Sequence, residues 1–141
     1  TSITVTLQKE VAQRLTAEPG TKSYGRLAVM TQWRCEVTRL FDIEAQAFTP
    51  PPKVTSTVVQ LTPRAVPVAP ANADSLERIV KAAFGQRRKM LRSSLKTVSD
   101  DPVGLLTSAG VDPTARAEEL DVETFCVLAR RLDEFGVEAA R

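Results

Sequence analysis

Apolar positions change their period several times along the first sixty residues. Ile3, Val5 and Leu7 alternate with threonines and predict a short strand. Leu7, Val11 and Leu15 then recur at i, i+4 and i+8, which predicts a helix over 8–15, stopped by Pro19-Gly20. Residues 24–33 read as a second helix, with Leu27 and Met30 on one face. Cys35, Val37, Leu40, Phe41 and Ile43 predict a strand whose alternation slips at Leu40-Phe41, as a β-bulge would make it do. The β-branched run from Val54 to Leu61 predicts the clearest strand of the chain.

The second half carries helical periods only. Pro63, Pro67 and Pro70 stand among small residues and predict a linker. Asp74-Ser75-Leu76-Glu77 has the form of a capping box, with Asp74 at the N-cap and Glu77 three residues on. Leu76, Ile79, Val80, Ala83 and Phe84 form the inward stripe of that helix. Gly85 weakens it before Met90, Leu91 and Leu95 resume the stripe. A short helix over 103–109 is stopped by Gly110, Asp112-Pro113 begins a turn, and Asp121 caps a last helix with Val122, Phe125, Cys126, Leu128, Ala129 and Leu132 available to a core. The order is β-α-α-β-β, a linker, then about four helices. The expected division is a sheet-bearing part over 1–63, a linker over 64–73 and a helical part over 74–141. A three-stranded sheet with one helix layer is a marginal unit, so the sheet is expected to be the end of a larger one.

Composition narrows the functional classes. The chain has 141 residues, 43% hydrophobic and 26% charged, as ordinary globular domains do. Charged residues interrupt every apolar stretch, and the N-terminal residues have neither a basic nor a long apolar region. No membrane span or secretory signal is therefore expected. With no histidine in the chain, a Ser-His-Asp or Cys-His mechanism is excluded within it, as are the usual zinc sets. Cys35 and Cys126 form no C-x-x-C pair and are expected as buried thiols in a reducing, cytoplasmic setting.

Charge is segregated although the net value is only +2. Arg78, Lys81, Arg87, Arg88, Lys89, Arg92 and Lys96 make seven bases with no acid between them, whereas residues 100–141 hold ten acids and four bases. Arg88, Arg92 and Lys96 fall at i, i+4 and i+8, and Arg78 and Lys81 extend the stripe if one helix runs through. Such a stripe suits contact with RNA phosphates; the alternative is a solvated face paired with the acidic C-terminal segment. The segment Phe48-Thr49-Pro50-Pro51-Pro52-Lys53-Val54 is stiff and extended. Phe48 is either a core residue or a stacking surface, and Lys53 beside it either solvated or a phosphate contact. Tyr24 and Trp33, on a helical segment, read as core in preference to RNA-stacking residues.

Four motifs in order, Leu7-Gln8-Lys9-Glu10-Val11-Ala12, Tyr24-Gly25-Arg26-Leu27-Ala28-Val29, Phe48-Thr49-Pro50-Pro51-Pro52-Lys53-Val54-Thr55-Ser56 and Phe84-Gly85-Gln86-Arg87-Arg88-Lys89, resemble the KsgA-type dimethyladenosine transferases. That family methylates adjacent adenines near the 3′ end of small-subunit ribosomal RNA with S-adenosylmethionine. The resemblance implies an α/β fold: the C-terminal portion of a Rossmann-like methyltransferase sheet followed by a small all-helical domain. The family's glycine-rich cofactor loop and Asn-Leu-Pro-Tyr motif lie ahead of the Leu-Gln-Lys-Glu segment, and neither occurs here. The resemblance therefore implies a fragment that by itself neither binds the cofactor nor transfers methyl groups. It implies Phe48 as the surface that stacks on the target adenine, as a base taken out of its helix requires. It makes Lys53, Arg87, Arg88, Lys89, Arg92 and Lys96 the expected RNA contacts and small-subunit rRNA or the 30S pre-subunit the expected partner. A stand-alone RNA-binding module and a large-subunit methyltransferase of the resistance type are the alternatives. Gln8, Lys9 and Glu10 read as structural pairing. With the strand at 3–6 left on an open edge, self-association is expected.

Overall fold

A computed structural model describes residues 1–44 and 55–140, with side chains through Phe135. Strand β1 (Ile3–Gln8) leads without a loop into helix α1 (Lys9–Leu15). After the Pro19-Gly20 turn comes α2 (Arg26–Arg34), which passes directly into β2 (Cys35–Ile43). Strand β3 (Ser56–Pro63) returns between the other two, giving the order β1-β3-β2 with both pairings antiparallel. The helical half follows as α3 (Ala73–Gly85), α4 (Leu91–Ser94), α5 (Pro102–Ser108) and α6 (Val122–Ala140). Short 3-10 turns occur at Leu95–Thr97 and Ala117–Glu119.

β3 is central and carries the sheet's buried strand residues: Thr57, Val58 and Val59 are buried, whereas no residue of β1 or β2 is. The slip expected in β2 is present as a register shift between Arg39 and Phe41. It leaves Leu40 and Phe41 on the surface, at 46% and 59% exposure.

The main core joins α2 to the helical half. Tyr24, Val29 and Trp33 pack in one cluster with Leu76, Ile79, Leu91, Leu95, Leu105, Phe125 and Leu128. The proline-rich connection is fastened to α2 and its end: Arg64 N–H donates to Arg34 O at 2.8 Å and Val68 N–H to Trp33 O at 3.0 Å. The Trp33 indole N–H donates to Ala69 O at 2.8 Å. Tyr24 and Trp33 are thus core residues, as their place in the pattern suggested.

Two expectations need correction. The N-cap of α3 is Asn72, not Asp74: its Oδ1 accepts from the amides of Asp74 and Ser75, so the helix starts one turn-fraction earlier. The sequence Asn72-Ala73-Asp74 holds two residues able to cap, and it is Asn72 whose side chain takes the first free amides. Cys35, at the junction of α2 and β2, is only half-buried, whereas Cys126 is fully buried. Gly110 adopts φ 74°, the left-handed stop expected after α5. Asp101 and Asp121 accept from the amides of Gly104 and Thr124 and so cap α5 and α6. Among the described residues no helix is long and apolar enough to cross a membrane.

Candidate nucleic-acid interface

The basic segment does not form one continuous helix. α3 ends at Gly85, Gln86 takes φ −135° and ψ 57°, and Lys89 N–H closes a turn onto Gln86 O at 2.9 Å. The chain then enters α4, whose first amides are held from outside: Leu91 N–H by Ala115 O at 2.8 Å and Arg92 N–H by Pro113 O at 3.1 Å. The break has a packing cause. A straight helix would carry Leu91 and Leu95 about 10 Å and more beyond Phe84 along its axis, yet both are fully buried in the cluster that holds Ala83. Only a chain that turns at the glycine can bury both sets. The expected i, i+4, i+8 stripe of Arg88, Arg92 and Lys96 is therefore corrected to a turn and two short helical pieces.

Arg88, Lys89, Arg92 and Lys96 are all exposed on that surface, as are Arg78 and Lys81 on α3. Arg87 differs from its neighbours. Its guanidinium donates to Tyr24 O at 3.0 Å and to Glu118 Oε2 at 3.3 Å, and it lies 5.7 Å over the Phe84 ring. It ties the end of α3 to the Tyr24 segment and to the Ala117–Glu119 turn, so it shapes the surface from below. Among the described residues it is the one member of the basic run with an ion pair. The acidic C-terminal segment thus leaves the other six cations to solvent, and their charge is available to a polyanion.

The fold adds two cations that sequence reasoning missed. Lys22 and Arg116 meet Arg87 and Arg88 around a cleft of 480 Å³ that also includes Gly20, Thr21 and Glu118. Gly20, at φ 86°, donates its amide to Glu118 O at 2.7 Å, which brings the two segments together. Nothing local marks these residues: Lys22 stands in a turn and Arg116 inside the acidic half.

Phe48 and Lys53 lie in 45–54, outside the described residues. The strands at either end of that segment are described. Ile43 pairs with Ser56. Asp42, one residue before, accepts from the buried Thr57 hydroxyl at 2.7 Å and pairs with Lys9 Nζ at 3.3 Å and Arg39 at 3.7 Å. The Thr57 hydrogen bond, with Lys9 and Arg39 adding to it, holds the Asp42 carboxyl below its ordinary range. Lys9 N–H also donates to Thr55 O at 3.0 Å. Gln8-Lys9-Glu10 therefore has a structural role: Lys9 fastens the start of α1 to the strand ends beside 45–54, and Glu10 pairs with Arg14 at 2.7 Å.

An S-adenosylmethionine cradle of Rossmann type needs a crevice at the carboxyl ends of parallel strands with a close-approaching glycine loop. The three strands described here are antiparallel, and the clefts around the basic segment are lined by cations. The described residues do not fit the cofactor.

An antiparallel β1-β3-β2 sheet followed by a helical unit with a cationic surface agrees with the α/β architecture that the resemblance to the dimethyladenosine transferases implies. The chain belongs to the ribosomal RNA adenine dimethylase family, whose model matches residues 1–134. It is 62% identical over 129 residues to the ribosomal RNA small subunit methyltransferase A of Rhodospirillum rubrum, covering 92% of this chain and 44% of that protein. It is 63% identical over 126 residues to the protein of that name from Paramagnetospirillum magneticum, covering 89% and 44%. The chain thus spans less than half the length of these relatives. Among solved structures, a dimethyladenosine transferase from Plasmodium falciparum superposes with a TM-score of 0.76 at 22% identity, over 96% of this chain and 58% of that one, and supports the fold. The 23S rRNA methyltransferase ErmE superposes with a TM-score of 0.64 at 26% identity, over 94% and 55%.

Proposed function

We propose that this chain supplies the RNA grip and one face of the target-base pocket of an rRNA adenine-N6 dimethyltransferase. Its substrate is small-subunit ribosomal RNA within a 30S pre-subunit in the cytoplasm. The observation that carries the reading is the surface of Arg78, Lys81, Arg88, Lys89, Arg92 and Lys96, six exposed cations without an acidic partner among the described residues, in a member of this family. Identities of 62–63% to small-subunit enzymes favour that substrate over the large-subunit one named for ErmE. Phe48 provides the stacking surface, Lys53 a phosphate contact beside it, and Arg87 sets the shape of the cationic turn. S-adenosylmethionine, the methyl donor of this reading, is held by residues other than the described ones, so the chain alone transfers no methyl group. Residues 1–63 end the methyltransferase sheet, 64–73 link, and 74–141 face RNA. The free edge of β1, which carries the exposed Ile3, is where the sheet continues, or where two copies meet when nothing else covers it.

In a fluorescence anisotropy titration, the chain should bind a hairpin from the 3′ end of small-subunit rRNA with strong salt dependence. Arg88→Glu with Arg92→Glu should weaken it at least tenfold and flatten the log–log salt slope by about 2. Affinity indifferent to both changes would overturn the reading.

A further inference from the structure

A second cleft lies on the other side of the 86–89 turn. It has a volume of 350 Å³ and is lined by Arg78, Lys81, Ala82, Gly85 and Gln86 from α3 and its end, and by Ser94, Thr97 and Val98 from α4 and the turn that follows. That size is at the lower end of small-ligand pockets, about 300–1,000 Å³. Its chemistry is sorted by position. Ala82, Gly85 and Val98 supply apolar surface. The exposed Gln86 amide offers hydrogen-bonding groups, and the exposed Thr97 hydroxyl, which donates to Ser94 O at 3.5 Å, can still accept. Arg78 and Lys81 are exposed cations, and no acidic residue lines the cleft.

We propose that this cleft takes one unpaired nucleotide of the bound RNA. The claim rests on the RNA-binding reading above and adds a subsite to it. A duplex would use the cations and leave the apolar surface empty, because its bases are stacked inside. An unpaired nucleotide uses both: the base lies against Ala82, Gly85 and Val98, the Gln86 amide and Thr97 hydroxyl meet its edge, and Arg78 and Lys81 take the flanking phosphates. The break in the basic helix makes this possible, since α4 turns back beside α3 and walls the cleft that a straight helix would not have.

Gly85 offers a test that leaves charge untouched. A Cβ built on it meets no atom within 4 Å, and its φ is not positive, so Gly85→Leu adds a bulky side chain at the rim of the cleft that Gly85 lines, without a clash at Cβ. Two RNAs serve as probes: a blunt hairpin, and the same hairpin with a single-stranded tail carrying 2-aminopurine. The chain should bind the tailed RNA about tenfold more tightly than the blunt one, with a change in 2-aminopurine fluorescence. Gly85→Leu should abolish both the preference and the fluorescence change while blunt-hairpin affinity and thermal midpoint stay as they were. A preference that survives Gly85→Leu overturns the subsite but leaves the RNA reading standing. Failure of the unaltered chain to bind either RNA overturns the RNA reading itself. Displacement of the tail by a poly-glutamate peptide as readily as by oligonucleotide shows a site for charge alone and overturns the nucleotide assignment.

Discussion

Tyr24 joins three parts of the fold. It is fully buried, its hydroxyl donates to Leu120 O at 2.7 Å, and its ring meets Phe84 edge-on at 5.8 Å. Phe84 in turn lies 5.6 Å from Phe125, and Arg87 sits over Phe84. Removing only the hydroxyl leaves the Leu120 carbonyl without that donor. Tyr24→Phe should cost about 1–2 kcal/mol in a denaturant titration. Burial, with the nearby Asp121 charge adding to it, pushes the phenol's ionisation well above its usual value. A group raised in the folded state contributes stability in full below its unfolded value, about 10, and loses it as pH climbs through and beyond that value. As Tyr24 is the chain's one tyrosine, tyrosinate absorbance should appear only together with alkaline unfolding. A normal titration curve in the folded chain would contradict the packing. The two thiols should separate in the same way. Burial pushes Cys126 up to about 11, so a thiol reagent should modify the half-buried Cys35 in the native chain and Cys126 only after unfolding.

At the scale of elements, sequence was informative where one local force dominates. The bulge at Arg39–Phe41 was legible as a slipped alternation, and Gly110 as a helix stop, because each is a one-position event. The start of α3 was not legible: Asn72 and Asp74 are both good caps two residues apart, and either start leaves Ser75, Leu76, Ile79 and Val80 on the same buried face. Asn72→Ala should cost about 1 kcal/mol, while Asp74→Ala costs a few tenths at most; circular dichroism melting curves give the ordering. The break after Gly85 was hinted at by the glycine alone. Its cause lies far away in sequence, in the core that Leu91 and Leu95 join, with the carbonyls of Pro113 and Ala115 accepting from the first amides of α4. The same distance explains the candidate interface. The exposed cations of 88–96 could be read from the run, but the inward turn of Arg87 depends on Tyr24 and Glu118, and the recruitment of Lys22 and Arg116 on the Gly20–Glu118 contact.

For the whole molecule, what matters is where the core runs. Sequence placed α2 with the sheet because it is adjacent to β2, and the proline-rich 64–73 looked like a spacer. The core cluster continues across it: Tyr24, Ala28, Val29 and Trp33 share one interior with α3, α4, α5 and α6, and Ala69 of the connection packs in the same cluster. The sheet's own buried residues, Val58 and Val59 with Ala12 and Leu15 of α1, stand outside that cluster. The helical half and α2 should then unfold as one cooperative unit, and Trp33 reports on it without labelling because it is the single tryptophan. Phe125→Ala removes a fully buried ring on α6, at a cost of about 3–5 kcal/mol. It should shift the Trp33 fluorescence midpoint and the helical circular dichroism midpoint together, although Trp33 lies on the far side of the connection in sequence. A Trp33 transition left in place while helicity melts early would mean that α2 follows the sheet instead. Coincident shifts would mean that the cationic surface and its clefts are held by the same cooperative core as α2. The cationic surface would then keep its shape even when the sheet, which exposes Ile3, Leu40 and Phe41, lacks neighbouring strands.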